Sequence, residues 1–352
     1  MGTWAINQLS TFPAGNICNH QPVVVGNDMY VCGFDTVTSV SERNYTLWKF
    51  SFLTESWLQL PTAPDTTNLT LVSCYNGKLV YAQAINKLVL FGMEGAGGQG
   101  GQLVTMEYDL VTNTWGNTTF HPEVPSFWSM CGSYYYPADN CIYGFGTRGA
   151  VKYNCSTRVC THVNSSFYIN RDASIVGVLD KVYIVGGTIV INTTQVGISE
   201  YNITSNIMTQ KAQITGAGVN MECPITWSVG SNIYVFGIYQ SSTGGPIRKY
   251  SINNDTWSTV DPSTGIPALC MGGGGACTYQ GRGIVVGGSY DAISGQSGVF
   301  QHSYFLDKPT NITGQYISGN IRLTWQDNST EELEWVIERK RDDELLFSPL
   351  VI

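Results

Sequence analysis

Charge is scarce in this chain. Only 12% of its 352 residues are Asp, Glu, Lys or Arg, against about 25% in an ordinary globular protein. Disorder requires high charge with low hydrophobicity, and 43% of the residues here are hydrophobic, so an unfolded chain is excluded. Basic residues are the scarcer sign: 18 Lys and Arg against 26 Asp and Glu leave a net charge of −8. A nucleic-acid groove needs a basic footprint. The one basic cluster, Arg339-Lys340-Arg341, is followed at once by Asp342, Asp343 and Glu344. No apolar run approaches the roughly 20 residues of a membrane-spanning helix, so no membrane span is expected. Met1 is followed by Gly-Thr-Trp-Ala-Ile-Asn, with no apolar segment of a signal peptide. Lys, Glu and Ala are few, while Gly (39), Tyr (20) and Trp (9) are plentiful, which favours strands and turns over helices.

Two abundances point to a compartment. The motif Asn-x-Ser/Thr, an acceptor for N-glycans in secreted chains, occurs at Asn44, Asn68, Asn117, Asn154, Asn164, Asn192, Asn202, Asn254, Asn311 and Asn328. With 24 Asn and 63 Ser or Thr in 352 residues, chance gives about four such motifs, and ten are present. The ten cysteines are an even number, compatible with disulfides in an oxidising compartment. The expectation is a secretory, extracellular or cell-surface protein, with its signal peptide not included in this stretch.

A repeat runs along most of the chain. An apolar strand ending in glycine recurs as Met29-Tyr-Val-Cys-Gly33, Leu88-Val-Leu-Phe-Gly92, Ile142-Tyr-Gly-Phe-Gly146, Val182-Tyr-Ile-Val-Gly186, Ile233-Tyr-Val-Phe-Gly237 and Ile284-Val-Val-Gly287. Gly33 and Gly287 are 254 residues and five intervals apart, a mean period of about 51, in the range of propeller repeats. An aromatic residue then precedes a large or sulfur-containing one by seven positions: Phe50/Trp57, Tyr108/Trp115, Tyr153/Cys160, Tyr201/Met208 and Tyr250/Trp257. Turn formers such as Ile252-Asn-Asn-Asp-Thr256 lie between them, so each pair reads as a β-hairpin. A second hairpin precedes each glycine, clearest from Ile175 to Val185. Two hairpins per repeat make a four-stranded propeller blade.

On these residues the stretch 1–307 resembles the kelch family, whose repeats share the glycine after an apolar strand, the Tyr, and the Trp seven residues later. It departs from that pattern with single glycines in four repeats and with Cys160 and Met208 in place of Trp. The resemblance implies an all-β, six-bladed kelch-like propeller. Val299–Tyr304 has no outer strand after it, while residues 3–9 have no inner strands before them. Their pairing would close the ring and leave no open sheet edge. From 308 to 352 the texture changes. Strands are expected at 321–325 and 334–340 around a polar turn. Leu323-Thr-Trp, Asp327-Asn-Ser and Ile337-Glu-Arg resemble the first strands of a fibronectin type III domain. A complete sandwich of that kind needs about 100 residues, so the segment reads as partial.

Candidates for chemistry are sparse. The recurring aromatics read as packing between blades. The glycine runs 95–101 and 272–275 match neither phosphate-binding fingerprint. His20, His121 and His162 fall in expected inter-blade connections, and His302 in a strand, but no pair has ligand spacing, so no metal or other cofactor is expected. Copper radical oxidases resembling galactose oxidase need a Tyr-His dipeptide, which is absent here. Sialidase-type propellers need an arginine triad and repeated Asp boxes, only faintly matched at Asn254-Asp-Thr-Trp257. A paired-carboxylate glycosidase stays open. Cys155 and Cys160 flank a four-residue loop and are expected to form a disulfide across the hairpin. Cys131–Cys141 and Cys270–Cys277 are further candidates, and Cys18, Cys32, Cys74 and Cys223 are unassigned. Loops 34–44, 93–102, 188–196 and 238–246 vary in length, as binding loops on a rigid scaffold do, with Arg43, Arg148, Tyr239 and Arg248 near their tips. The reading favoured is a binding or adhesion module that recognises a protein or a glycan without catalysis. A carbohydrate-active propeller enzyme and an intracellular kelch adaptor are the alternatives.

Overall fold

The structure is a computed structural model. It describes residues 4–11, 13, 17–18, 21–35, 45–63, 78–94, 102–124, 130–164, 167, 169, 173–186, 197–214, 224–236, 247–261, 274–286, 298–304, 310–318, 320–326, 338–339 and 348–349. Strands dominate, and the helical elements among the described residues are two single 3-10 turns, Gln83–Ile85 and Pro137–Asp139. No helix among these residues is long and apolar enough to cross a membrane.

The strands build sheets in chain order. After β1 (Trp4–Thr11) comes a first sheet of β2 (Ile17–Cys18), β3 (Val23–Val25), β4 (Asp28–Asp35), β5 (Tyr45–Ser51) and β6 (Ser56–Leu60). The second contains β7 (Lys78–Ala82), β8 (Lys87–Glu94), β9 (Gln102–Asp109), β10 (Thr114–Trp115) and β11 (Thr119–Phe120). The third runs β12 (Met130–Tyr136), β13 (Cys141–Gly146), β14 (Gly149–Asn154), β15 (Cys160–Asn164). The fourth runs β16 (Ala173–Val178), β17 (Lys181–Gly186), β18 (Gly197–Asn202), β19 (Ile207–Gln213). The fifth runs β20 (Ile225–Val229), β21 (Asn232–Phe236), β22 (Ile247–Ser251), β23 (Thr256–Asp261). A closing sheet takes β24 (Gly275–Tyr279), β25 (Arg282–Val286) and β26 (Gly298–Tyr304), and its outer strand is β1. β1 pairs antiparallel with β26 from Trp4 opposite Tyr304 to Thr11 opposite Gly298, as expected from the unmatched chain ends.

The inner strands touch in succession: β3 lies against β7, β7 against β12, β12 against β16, β16 against β20, β20 against β24, and β24 against β3. A separate apolar core fills each junction. Leu79, Leu88 and Tyr108 meet Tyr30 and Leu47 between the first two sheets. Phe91 and Leu103 meet Ile142 and Tyr153 between the second and third. At the last junction Met29, Val31 and Phe50 meet Ile284 and Val286. The molecule is therefore an all-β propeller. Two large side chains fix the approach of neighbours. Tyr134 lies over Gly177 and Trp227 over Gly283, so closely that a Cβ at either glycine would collide with the ring.

The seven-residue spacing is the cross-strand register itself. Phe50 faces Trp57, Tyr108 faces Trp115, Tyr153 faces Cys160, Tyr201 faces Met208 and Tyr250 faces Trp257. In the C-terminal segment β28 (Asn320–Gln326) covers the strand expected at 321–325 and pairs with the upstream β27 (Thr310–Ile317). Within 334–340 only β29 (Glu338–Arg339) is described, and it pairs with β30 (Ser348–Pro349). The turn at 327–329 lies outside the described residues.

Candidate functional site

Five outer hairpins share a turn that the aromatic spacing did not reveal. The residue five places after the aromatic has positive φ in each: Glu55, Asn113, Arg158, Asn206 and Asp255, at 50° to 59°. Asn and Asp tolerate this left-handed conformation better than other side chains. In three hairpins the aromatic hydroxyl donates to that residue: Tyr108 to Asn113 Oδ1 at 3.4 Å, Tyr250 to Asp255 Oδ1 at 2.7 Å, and Tyr201 to Asn206 Oδ1. Two inner hairpins repeat the device, with Tyr81 donating to Asn86 at 3.0 Å and Tyr135 to Asn140 at 3.1 Å. The sequence signal is Tyr-x4-Asn/Asp, legible in principle beside the Trp.

The same turn grips the preceding sheet. Asp255 Oδ1 accepts the Ala212 N–H at 2.8 Å, and Trp257 Nε1 donates to the Ala212 carbonyl at 2.8 Å. Trp115 Nε1 donates to the Pro61 carbonyl at 2.7 Å. Asn206 Nδ2 donates to the Val163 carbonyl at 2.8 Å, while Asn164 Nδ2 donates to the Asn206 carbonyl at 3.0 Å and to its Oδ1 at 3.1 Å. The recurring aromatics are thus structural, as the sequence reading held.

A cluster of ionisable groups lies between the second and third sheets. Here Arg158 stands where three of the other turns have Asn or Asp and the first has Glu55, and Tyr153 redirects its hydroxyl across the junction to Glu107 Oε1 at 3.0 Å. Arg158 donates to both Glu107 oxygens, at 2.9 and 3.0 Å, and Lys87 donates to Glu107 Oε2 at 2.9 Å. Burial alone would raise the Glu107 carboxyl, but the bonds from Arg158, Lys87 and Tyr153 outweigh it and hold it below its ordinary value. Burial, then the Glu107 charge, pushes the Tyr153 phenol well above its usual range. A carboxylate with this many donors is a clamp with no lone pair left to act as a base.

Beside it, Thr105 Oγ1 lies 2.9 Å from His121 Nε2, and His121 Nδ1 lies 3.1 Å from Glu123 Oε1. Hydroxyl, imidazole and carboxylate are connected in the order of a nucleophile, its base and an orienting acid. Thr105 and His121 are each 1% exposed, and His121 also packs edge-on against Tyr153 at 5.8 Å. No substrate carbon can reach such a hydroxyl, so the trio satisfies buried polar atoms. His121 lies in the connection after β11, as expected, but is buried there. His162, also expected in a connection, lies within β15, with Nε2 3.0 Å from the Arg148 carbonyl. His302 is in β26, and His20 lies outside the described residues. Among the described residues no group of three or more His, Cys, Asp or Glu side chains could hold a metal ion.

The cysteine pairing is corrected. Cys155 and Cys160 are free thiols, both buried. The ladder closes with Tyr153 opposite Cys160, and Arg158 N–H bonds the Asn154 carbonyl at 2.8 Å. This wide turn takes up Cys155 and sets Tyr153 opposite Cys160, so the four-residue loop does not place the two cysteines face to face. Burial raises both thiols to about 12, so neither is a nucleophile at neutral pH. Cys141 is a free thiol as well, and Cys131 lies at the far end of its hairpin from it. Met130 pairs with Gly146 at one end of their hairpin and Tyr136 with Cys141 at the other, so at roughly 3.3 Å per residue the span is far beyond disulfide reach. Cys18 lies in β2, while Cys74, Cys223 and Cys270 lie outside the described residues. Cys277 is a free thiol whose Sγ lies 3.5 Å from Met29 Sδ.

Of the glycan acceptors, Asn117 and Asn254 are exposed, Asn154, Asn164 and Asn202 are half-buried, and Asn311 is exposed with Nδ2 bonded to Gln326 Oε1 at 2.9 Å. Asn154 Oδ1 accepts the Ser156 and Thr157 N–H groups, both at 2.9 Å. Asn44, Asn68, Asn192 and Asn328 lie outside the described residues, as do Arg43 and Tyr239 and most of the variable loops. Arg148 is exposed in the tight turn before β14, and Arg248 is half-buried in β22.

No family model matches this chain, and no curated protein matches it. Solved structures do. One described as "Structure of YjhT" aligns with 89% of this chain and 99% of its own, at a TM-score of 0.59 and 11% identity. The likeness is one of fold, and it supports the propeller.

Proposed function

We propose that this chain is an extracellular binding module, a kelch-type ring of six blades over 1–307 followed by the start of a fibronectin type III-like segment over 308–352. It recognises a protein or a glycan through its propeller loops and does no chemistry of its own. The observation that carries the secretory part is the excess of sequons, ten where composition gives about four. The six-blade reading is supported by the succession of contacts from β3 through β24 and back to β3. The binding reading is supported by how the ionisable side chains are used: Glu107, Arg158, Tyr153 and Asp255 tie sheet to sheet and make a rigid frame for loops.

The test is the intact mass of the protein from its native source, before and after deglycosylation, followed by binding to arrays of glycans and of cell-surface ectodomains. Glycan mass with a saturable array signal is the expected result. A bare mass sinks the extracellular reading in favour of an intracellular adaptor. Stoichiometric copper, or turnover of a bound sugar, sinks the non-catalytic reading in favour of a carbohydrate-active enzyme.

A further inference from the structure

The sequons of this chain are alike in sequence and unlike in structure. An N-glycan is attached when the Asn amide nitrogen displaces pyrophosphate from the anomeric carbon of a lipid-linked oligosaccharide. One N–C bond forms, one C–O bond breaks, and the nitrogen gives up one of its two hydrogens to solvent. The modified Nδ2 can therefore donate only one hydrogen bond, and it carries a sugar at van der Waals contact.

Asn164 uses both hydrogens, toward the Asn206 carbonyl at 3.0 Å and Oδ1 at 3.1 Å, while Asn206 answers into the Val163 carbonyl at 2.8 Å. This reciprocal pair is the seam between the third and fourth sheets. Asn202 Nδ2 reaches Asp180 Oδ2 at 3.3 Å, and its Oδ1 holds the Ser205 N–H at 2.8 Å inside the outer turn of the fourth sheet. Both side chains are half-buried. Asn117, between β10 and β11, and Asn254, in the turn before β23, are exposed. Among the described residues neither side chain has a hydrogen-bond partner. At Asn254 the structural work of the turn falls to its neighbour Asp255, which holds Ala212 N–H at 2.8 Å.

We propose that Asn117 and Asn254 carry N-glycans in the mature protein, and that Asn164 and Asn202 are bare because their amides belong to the fold. Attachment precedes folding, so the selection acts afterwards. A chain glycosylated at Asn164 loses a seam bond and must fit a sugar between two sheets, and such chains fail to fold. The inference rests on the secretory reading above, and the experiment separates the two.

Protein from the native source is treated with peptide N-glycosidase in heavy-oxygen water, which converts each occupied Asn to labelled Asp, and is mapped by peptide mass spectrometry. The expected result is label at Asn117 and Asn254 and none at Asn164 or Asn202. Label at Asn164 or Asn202 in folded protein, or unlabelled Asn117 and Asn254 beside other labelled sequons, overturns the assignment. No label at any of the ten sequons overturns the secretory reading itself, and the assignment with it. Two substitutions give an independent readout. Asn254→Gln should remove one glycan from the intact mass and leave the melting temperature unchanged. Asn164→Gln should leave the mass of attached glycan unchanged and lower the melting temperature. The reverse pattern overturns the assignment.

Discussion

The third and fifth sheets solve one mechanical problem with different side chains. Each must hold the sheet before it through the turn of its outer hairpin, and each turn places one residue in the left-handed region, Arg158 or Asp255. In the fifth sheet the grip is mainly on the backbone: Asp255 takes the N–H and Trp257 the carbonyl of a single residue, Ala212, with Lys211 Nζ 3.7 Å from Asp255 Oδ2. In the third sheet Trp is replaced by Cys160, which cannot reach a carbonyl, and the grip becomes the charged clamp on Glu107. The backbone turn is conserved in shape between the two hairpins while the chemistry of attachment is exchanged wholesale. What the repeat preserves is a direction of reach toward the preceding sheet, more than any residue type.

The comparison breaks most visibly at Glu107. Its side chain is 12% exposed and Lys87 23%, but Arg158 is 52% exposed. Glu107→Ala should therefore cost roughly 3 kcal/mol, the low end for orphaning a buried charge, because water still reaches Arg158. Urea unfolding followed by Trp fluorescence measures it. Trp257→Phe keeps an aromatic ring at the position and deletes the Ala212 bond, so about 1 kcal/mol is expected from the bond in the same assay. A cost at Trp257 equal to that at Glu107 would show that charge adds nothing to the third sheet's grip.

Acid should separate the two grips further. The Glu107 carboxyl titrates lower in the folded protein than in the unfolded chain, since its donors outweigh its burial. Its contribution is therefore present above the unfolded value, about 4.3, and is lost as pH falls through the lower folded value. Glu107→Gln should flatten the acid limb of a stability–pH curve, while leaving the neutral and alkaline limbs unchanged in shape. Asp255 is also held low, by the Ala212 N–H and then Tyr250, so Asp255→Asn supplies the matched measurement for the fifth sheet.

Arg158→Asn converts the third turn to the commoner type. Asn relaxes the left-handed backbone, worth about 1 kcal/mol, and forfeits a half-exposed ion pair of about the same size. A change within about 0.5 kcal/mol is expected, and a large loss would mean that the clamp specifies the turn. The smallest effect is chemical. Cys155 and Cys160, their thiols raised to about 12 by burial, should resist iodoacetamide in the native state and react at ordinary rates in denaturant.

Much of the frame was legible because it is periodic. The seven-residue spacing is a register, so Tyr250 and Trp257 announced their own pairing, and the unmatched segments at 3–9 and 299–304 announced β1 and β26. What stayed hidden depends on side-chain direction across a junction. The residue before each hairpin aromatic alternates in sign, Lys49, Glu107, Lys152, Glu200, Lys249. Four of these meet an opposite charge on their own sheet: Lys49 with Asp28, Glu107 with Lys87, Lys152 with Asp139 and Glu200 with Lys181. Only the packed ring reveals that Glu107 also serves the neighbouring sheet. The cysteine pairing failed for a local reason. Loop length alone predicts opposition, but a wide turn with Arg158 in the left-handed region sets Tyr153 opposite Cys160. His121 and Thr105 show the converse, a connectivity suggestive of catalysis that burial removes from use.

The pairing of β1 with β26 sets an order of events during synthesis. Trp4 and Tyr304 face each other, so the ribosome adds 300 further residues between making one and making its partner. At roughly 5–20 residues per second that interval is about 15–60 s. Throughout it β1 is a strand with no sheet, and afterwards the closing sheet waits with an open edge for a segment that has been free to wander. At high concentration the first edge to reach a given β1 can belong to another copy of the chain. Exchange of this one strand would then yield dimers that keep every native contact and differ only in ownership.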